Sequence, residues 1–491
     1  MTVSLLLLLG RLSGFLREWL IAVYGGATKE TDIAIVLVSL PDLMVNLLMG
    51  GGFAAAIVPM LKKRTIGDAN RLFLKLVLIV TIVFCTMTLI IVAMPGMVML
   101  LMIPGASTDD LAAATPYFIM AALAVPLTAV SGVLQAKLVS AERFLISQAG
   151  TLIFNATIIA SILVAANYGI AFSIAVGILA GATIRLTAQV IQLLQIWKPP
   201  TSNKIMFERG FFSSLLVTTL FSATLALIPV AGRAYASWVE PGALSLFNYA
   251  FRISELPVAL FFASLTIVLL PRISAAFLNQ DHERILEEVA LVLRFSLLVG
   301  FAIAILIFFF SRELVYLLFS RTQISPAQLE ELAVLLLIAI IFMPFRGCLI
   351  LCLSMLSATG NERSLIPIAI SALITLVVIC TLFVPQIGIA GAMLGYGVAH
   401  FVGFIVFMVA LQRHIDKAVL PLVLMQFLRF GAVPLSFMLI TSWGGSQLAL
   451  DGLPIVVFCV LALAAFSAAV ICVDADARSI FMKIFARAKG T

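Results

Sequence analysis

Charge is what this sequence lacks. Of 491 residues only 11% are Asp, Glu, Lys or Arg and three are histidine, while 63% are hydrophobic; the mean hydropathy is +1.21. Soluble domains run near a quarter charged, so soluble, disordered and fibrous classes are excluded and an integral membrane protein remains. Metal chemistry has little to draw on. The six cysteines (Cys85, Cys348, Cys352, Cys380, Cys459 and Cys472) all fall in apolar runs, where free buried thiols are expected. Cys348 and Cys352, on one helix face, read as packing residues, and no His/Cys/Asp group has ligand spacing. Asp109-Asp110 is an isolated pair in an outer loop, without the second acidic motif of a magnesium-dependent prenyl-diphosphate enzyme. There is no Gly-rich phosphate loop ending in Lys-Ser/Thr and no nucleophile–base pair. The expectation is a protein that is not an enzyme and carries no metal or cofactor.

What is present is a series of apolar runs. Fourteen candidate spans lie near 3–23, 33–60, 72–95, 111–136, 145–166, 169–197, 212–232, 243–271, 288–309, 328–357, 364–384, 387–412, 420–442 and 453–472. The boundaries are least defined at 96–110, where Pro95, Pro104 and Gly105 interrupt the run. Leu5 to Leu9 resembles a secretory core, but without a basic flank or a small-residue cleavage site, and with Arg11 breaking the run, it reads as a retained first helix. The net charge of +7 is spread over short loops, where lipid headgroups explain it and a nucleic-acid partner is not implied. Loops after even-numbered spans and the C-terminal tail hold 20 cations; loops after odd-numbered spans hold four, Lys29, Arg233, Arg312 and Arg321. That asymmetry places both termini in the cytoplasm of a multi-pass inner-membrane protein.

The two halves echo one another at an offset of about 212–220 residues. Leu40-Pro41 and Val58-Pro59 correspond to Leu256-Pro257 and Leu270-Pro271, Ala141-Glu142-Arg143 to Asn361-Glu362-Arg363, and Gly169-Ile170-Ala171 to Gly388-Ile389-Ala390. Each half has six spans, so both enter the membrane with the same sense. The expected fold is an all-α membrane protein of two six-helix lobes related by a pseudo-two-fold axis along the membrane normal, with two further C-terminal helices. The lobes are residues 1–200 and 201–415, and 416–491 holds the additional pair and a tail. This is a transporter layout.

Six arginines lie inside spans: Arg11, Arg17, Arg185, Arg252, Arg346 and Arg429. A cation at mid-depth costs about 2.5–3.5 kcal/mol on insertion scales, so Arg11, Arg17 and Arg252 together cost roughly 8–10 kcal/mol unless an anion or a wet cavity offsets it. Arg11 and Glu18 share a helix face, as do Arg252 and Glu255, and Asp42 on the antiparallel second span is within reach of Arg17. Arg–Glu pairs of this kind also occur as purely structural locks. Arg185, Arg346 and Arg429 sit nearer cytoplasmic ends, where snorkelling is the favoured reading, and His400 reads as a hydrogen-bonded packing residue rather than a proton relay. Gly50-Gly51-Gly52 and Pro257 are candidate hinges; close packing explains the glycines equally well.

Particular residues carry a family likeness. Arg11-Leu12-Ser13-Gly14-Phe15-Leu16-Arg17-Glu18, Tyr24-Gly25-Gly26-Ala27, Thr31-Asp32, Leu40-Pro41-Asp42-Leu43 and Phe53-Ala54-Ala55-Ala56-Ile57-Val58-Pro59 resemble the opening of the MurJ (MviN) lipid II flippases, of the multidrug/oligosaccharidyl-lipid/polysaccharide exporter superfamily. Ser245, Tyr249, Arg252, Glu255, Pro257, Leu269-Leu270-Pro271 and Ser274 resemble that family's signature around the eighth helix. The resemblance implies a V-shaped cavity between the lobes in which Arg11, Arg17 and Arg252 bind the diphosphate of a polyprenyl-linked sugar. It also implies needed acids at Asp32 and Glu255, small residues at Ser245 and Ala22, and a lipid-tail groove from spans thirteen and fourteen. The chain departs from the family pattern at Asp42, where the family has Asn, at Val45, where it has a basic residue, and at Gly50-Gly51, where it has an acidic-Gly pair.

The expected function is therefore translocation of a polyprenyl-diphosphate saccharide, lipid II foremost, from the cytoplasmic to the periplasmic leaflet by alternating access. It would draw on an ion gradient or the membrane potential, with cell-wall synthesis proteins as candidate partners. An exopolysaccharide or O-antigen repeat unit is the alternative cargo. A MATE-type drug/cation antiporter is the alternative class, although its cavity should present carboxylates where these spans present mostly arginines. A non-transporting scaffold is disfavoured by the same charges. Orientation is checked by C-terminal fusions: a fluorescent protein there should glow and alkaline phosphatase there should be inactive, and active phosphatase would reverse the assignment.

Overall fold

The computed structural model describes residues 2–49, 57–58, 60–62, 64–199, 211–262, 282–349 and 365–414. Every regular element among them is helical. The first half holds α1 (Thr2–Gly25), α2 (Lys29–Met49), α3 (Ile66–Ala93), the short α4 (Pro95–Met102), α5 (Thr108–Ser140), α6 (Phe144–Ala165) and α7 (Ile170–Leu194). The second half holds α8 (Phe211–Ser237), α9 (Ala243–Pro257), α10 (His282–Phe319), α11 (Pro326–Ile341), α12 (Met343–Leu349), α13 (Leu365–Ile387) and α14 (Ile389–His414). Eight described helices are long and apolar enough to cross a membrane, or nine if the bent pair α11–α12 is one span. Gly50, Gly51, Gly52, Cys352, Arg429 and the two C-terminal spans lie outside the described residues.

The expected span boundaries differ from the helices in instructive ways. The break at 96–110 is a helix of its own: Pro95 opens α4 at a position that needs no backbone N–H. Asp109 and Asp110 belong to the first turn of α5, where Ser107 and Asp110 form a reciprocal capping box. The eighth span does not run on as an α-helix; α9 ends at Pro257 and passes into a π-helical turn, Val258–Phe262. Span ten bends by 45° between α11 and α12, beside Pro344, whose missing N–H interrupts the ladder. Arg233 was expected in a loop but lies in the last turns of α8 and is buried.

Packing repeats with the sequence. In the first half α1 packs on α6, α6 on α7, α2 and α3 on α5, and α7 on both α2 and α5. In the second half α8 packs on α13, α13 on α14, α9 and α10 on α11, and α14 on both α9 and α11. Each of these contacts of one half thus has its counterpart in the other. Capping boxes open α5 at Ser107 and α11 at Ser325, and Gly169 and Gly388, both at positive φ, precede α7 and α14. The halves meet where α2 packs on α8 and α9, and α1 on α9 and α10.

Lipid offers little hydrophobic drive for helix association, so close approach must supply it. Leu78, Ile82 and Leu89 on α3 and Ile374 and Leu382 on α13 face outward, as a lipid-facing surface requires. Gly177 and Gly181 lie against the α6 backbone at Ile158 and Phe154, and Gly391 and Gly395 lie against α13 at Phe383 and Cys380. A Cβ at Gly177 would stand 2.8 Å from Ile158 Cα, whereas one at Gly96 meets nothing within 4 Å. Gly177→Leu should therefore cost about 1–3 kcal/mol by overpacking. Thermal unfolding in detergent should show a lowered Tm for that variant and an unchanged one for Gly96→Leu.

Candidate functional site

A buried ionic network lies at the junction of the halves. Arg17, 3% exposed, donates from Nη2 to Glu18 Oε1 (2.8 Å) and Asp42 Oδ2 (3.4 Å), and from Nη1 to Asn155 Oδ1 (2.9 Å). Asn155 on α6 is held in turn, donating to Gly10 O (3.2 Å) and Ser13 Oγ (3.3 Å). From the other half, Arg252 Nη2 reaches Asp42 Oδ2 at 3.1 Å and Glu18 Oε1 at 3.6 Å, while its Nη1 reaches Glu255 Oε2 at 3.0 Å. Arg346 on α12 pairs with the second oxygen of Glu255 at 3.1 Å. Asn248 links the groups further, donating to Glu18 Oε2 (2.9 Å) and accepting from Arg233 Nη1 (3.2 Å). Arg233 also donates to Ser39 Oγ at 2.7 Å.

Helix periodicity explains who faces whom. Asn248, Arg252 and Glu255 recur at four- and three-residue steps along α9 and so form one stripe, and Ser39 and Asp42, three apart, do the same on α2. Four arginines meet three carboxylates in this network. The compensation is what makes the charges tolerable, because breaking one partner of a buried pair typically costs about 3–5 kcal/mol. Exposure is graded: Arg17 and Glu18 are sealed, while Asp42 (31%), Glu255 (33%) and Arg252 (23%) keep side-chain surface open. Phe251 lines the cationic side, lying 5.5 Å from Arg252 Cζ and 5.2 Å from Arg346 Cζ.

The expected site residues divide. Arg17, Glu18, Arg252 and Glu255 come together. Arg11 does not join them: it is exposed, contacts the Ala259 carbonyl, and forms no ion pair with Glu18, which faces Arg17 and Arg252 instead. Asp32 and Ser245 do not face the network either. Asp32 Oδ2 accepts from Gly242 N (2.7 Å), and its Oδ1 accepts from Ser245 N (2.8 Å) and Ser245 Oγ (2.5 Å), so the carboxylate caps the N-terminus of α9 from across the seam. Neighbouring bonds close the same end of the bundle: Tyr249 Oη to Gly26 O (2.8 Å), Gln328 Nε2 to Ala27 O (3.1 Å) and Trp19 Nε1 to Leu318 O (2.6 Å). Ala22, the other small position, is fully buried.

Two arginines read as snorkelling are not. Arg346 is turned inward by the α11–α12 bend, and Arg185, 3% exposed, donates to Gln135 Oε1 at 3.2 Å inside the first half. His400 accepts the packing reading, with Nδ1 2.9 Å from Tyr396 O and its ring 4.5 Å from that of Tyr396. Sequence reasoning passed over Asn155, Asn248 and Ser39; a lone polar side chain in an apolar run was the available signal. Among the described residues no group of three His, Cys, Asp or Glu is arranged to hold a metal ion.

A model of the family described as "Lipid II flippase MurJ" matches residues 21–463. The chain belongs to that family. A lipid II flippase MurJ of Burkholderia cenocepacia is 26% identical over 441 residues, covering 84% of this chain and 83% of the relative. A probable lipid II flippase MurJ of Aquifex aeolicus is 24% identical over 346 residues, covering 70% and 68%. Among solved structures, MurJ in an inward closed conformation shares the fold at a TM-score of 0.80, with 17% identity, over 95% of this chain and 98% of that one. An inward-facing MATE multidrug transporter of the MOP superfamily shares it at 0.69, with 15% identity, over 85% and 96%.

The Asp32 cap can be weighed by substitution. Ser245→Ala removes one of three bonds and should cost about 1 kcal/mol. Asp32→Ala removes all three and should cost at least about 2 kcal/mol. Thermal unfolding of the two variants checks the order; equal stabilities would mean that the cap carries no load.

Proposed function

We propose that this chain flips lipid II across the cytoplasmic membrane, and that Arg17 and Arg252 hold the diphosphate of the cargo. Family membership supports the cargo. The observation that carries the site is the convergence of two guanidinium groups, one from each half, on the same two carboxylate oxygens, Glu18 Oε1 and Asp42 Oδ2. Guanidinium forks suit phosphate oxygens, and charge-assisted bonds to them are the strong kind. Glu255 holds Arg252 and Arg346 in place; Asn155 does the same for Arg17.

With the termini cytoplasmic, the end tied by Asp32, Tyr249 and Gln328 faces the periplasm. Closure there gives the headgroup access from the cytoplasmic side. Breaking those bonds, by rocking one half against the other, opens the periplasmic side while the arginines stay at mid-depth. Arg11, nearer the cytoplasmic start of α1, serves as an entry contact rather than a member of the central site. Pro257 and the π-helical turn after it supply a place for α9 to flex. Energy comes from an ion gradient or the membrane potential, and cell-wall synthesis enzymes are the natural partners of such an exporter. The MATE-type reading is disfavoured because arginines outnumber carboxylates in the network, which suits an anion better than a cationic drug.

Arg252→Ala is the direct test. In a strain depleted of its lipid II flippase, the variant should reach the membrane at normal abundance yet fail to restore growth. Full complementation would remove Arg252 from the site.

A further inference from the structure

Resting on the function proposed above, the geometry points to one residue as the site's built-in competitor and hence as a determinant of its selectivity. We propose that the Asp42 carboxylate occupies the place of one substrate phosphate oxygen, and that cargo binds by displacing it. Arg17 Nη2 and Arg252 Nη2 are bridged twice, by Glu18 Oε1 at 2.8 and 3.6 Å and by Asp42 Oδ2 at 3.4 and 3.1 Å. Two oxygens spanning two guanidinium groups is the arrangement a diphosphate would itself adopt.

The two bridging acids are not equivalent. Glu18 is 4% exposed and is fixed by a further bond from Asn248 to its other oxygen. Asp42 is 31% exposed and contacts both arginines through Oδ2. An incoming anion therefore meets Asp42 at the open edge of the pair, with Glu18 behind it. The exchange replaces one single negative charge by another group, so a monoanionic phosphodiester gains little over the carboxylate already there. A diphosphate brings two charges and can engage both arginines at once, and it wins. Asp42 thereby lowers affinity by the same factor for every anion that must displace it, which leaves a phosphodiester below the level at which it occupies the site while a diphosphate still binds, a repulsive contribution to selectivity.

The test uses purified full-length protein in nanodiscs, with undecaprenyl diphosphate and phosphatidylglycerol as probes. Asp42→Asn and Asp42→Ser should bind undecaprenyl diphosphate about tenfold more tightly than the parent, the scale expected for one charge-assisted bond. Phosphatidylglycerol offered alone, which leaves the parent site unoccupied, should bind the neutral variants measurably. Asp42→Glu should behave like the parent. Melting temperatures are recorded alongside, with two neutral variants in case one fails to fold. Unchanged or weaker binding in a neutral variant with parental Tm overturns the role of Asp42. If Arg252→Ala abolishes binding while the neutral Asp42 variants match the parent, the proposed site stands and Asp42 alone falls. If the parent itself does not bind undecaprenyl diphosphate, the functional reading fails and this inference with it.

Discussion

A guanidinium group cannot give up its proton at any ordinary pH, so an arginine inside a membrane protein must be met by something negative or wet. In this chain that demand is answered by sharing. Arg17 and Arg252 stand on different halves and lean on the same two carboxylates, and Glu255 divides its oxygens between Arg252 and Arg346. The geometry of the seam between the halves follows from this sharing. Polar side chains such as Asn155, Asn248 and Ser39 are positioned to complete the network rather than to pack.

The duplicated architecture explains how such a seam can exist without disturbing the rest. Each half repeats the same helix contacts, and in each half the last two helices are held at close range by paired glycines. Asn155 on α6 ties one of these hairpins to the network, through Arg17. The charged groups of the network stand on α1, α2, α8, α9 and α12, outside those glycine-paired hairpins.

Much of the frame was legible in the sequence because hydropathy and cation placement are local signals. Helix ends at Gly25, Ala93 and Leu194 fall within a few residues of the apolar boundaries. Pairing was legible where spacing along one helix decides it, as for Arg252 and Glu255. It failed where a bend intervened: Pro344 was a local sign of a break between α11 and α12, but nothing local said that the break would swing Arg346 toward Glu255. It failed also for Asp32, whose partners lie 210 and 213 residues away at a helix start that no periodicity reveals. Arg11 and Glu18 shared a face by count, yet Glu18 found nearer cations.

The unequal division of the network has a mechanical meaning. The first half contributes one arginine and two carboxylates, Arg17 with Glu18 and Asp42; the second contributes Arg233, Arg252 and Arg346 with only Glu255. The faces are thus oppositely charged, and their mutual pull strengthens as water is squeezed out. The seam behaves like a spring-loaded clasp. A guest that restored the balance on the arginine-rich face would relax that spring.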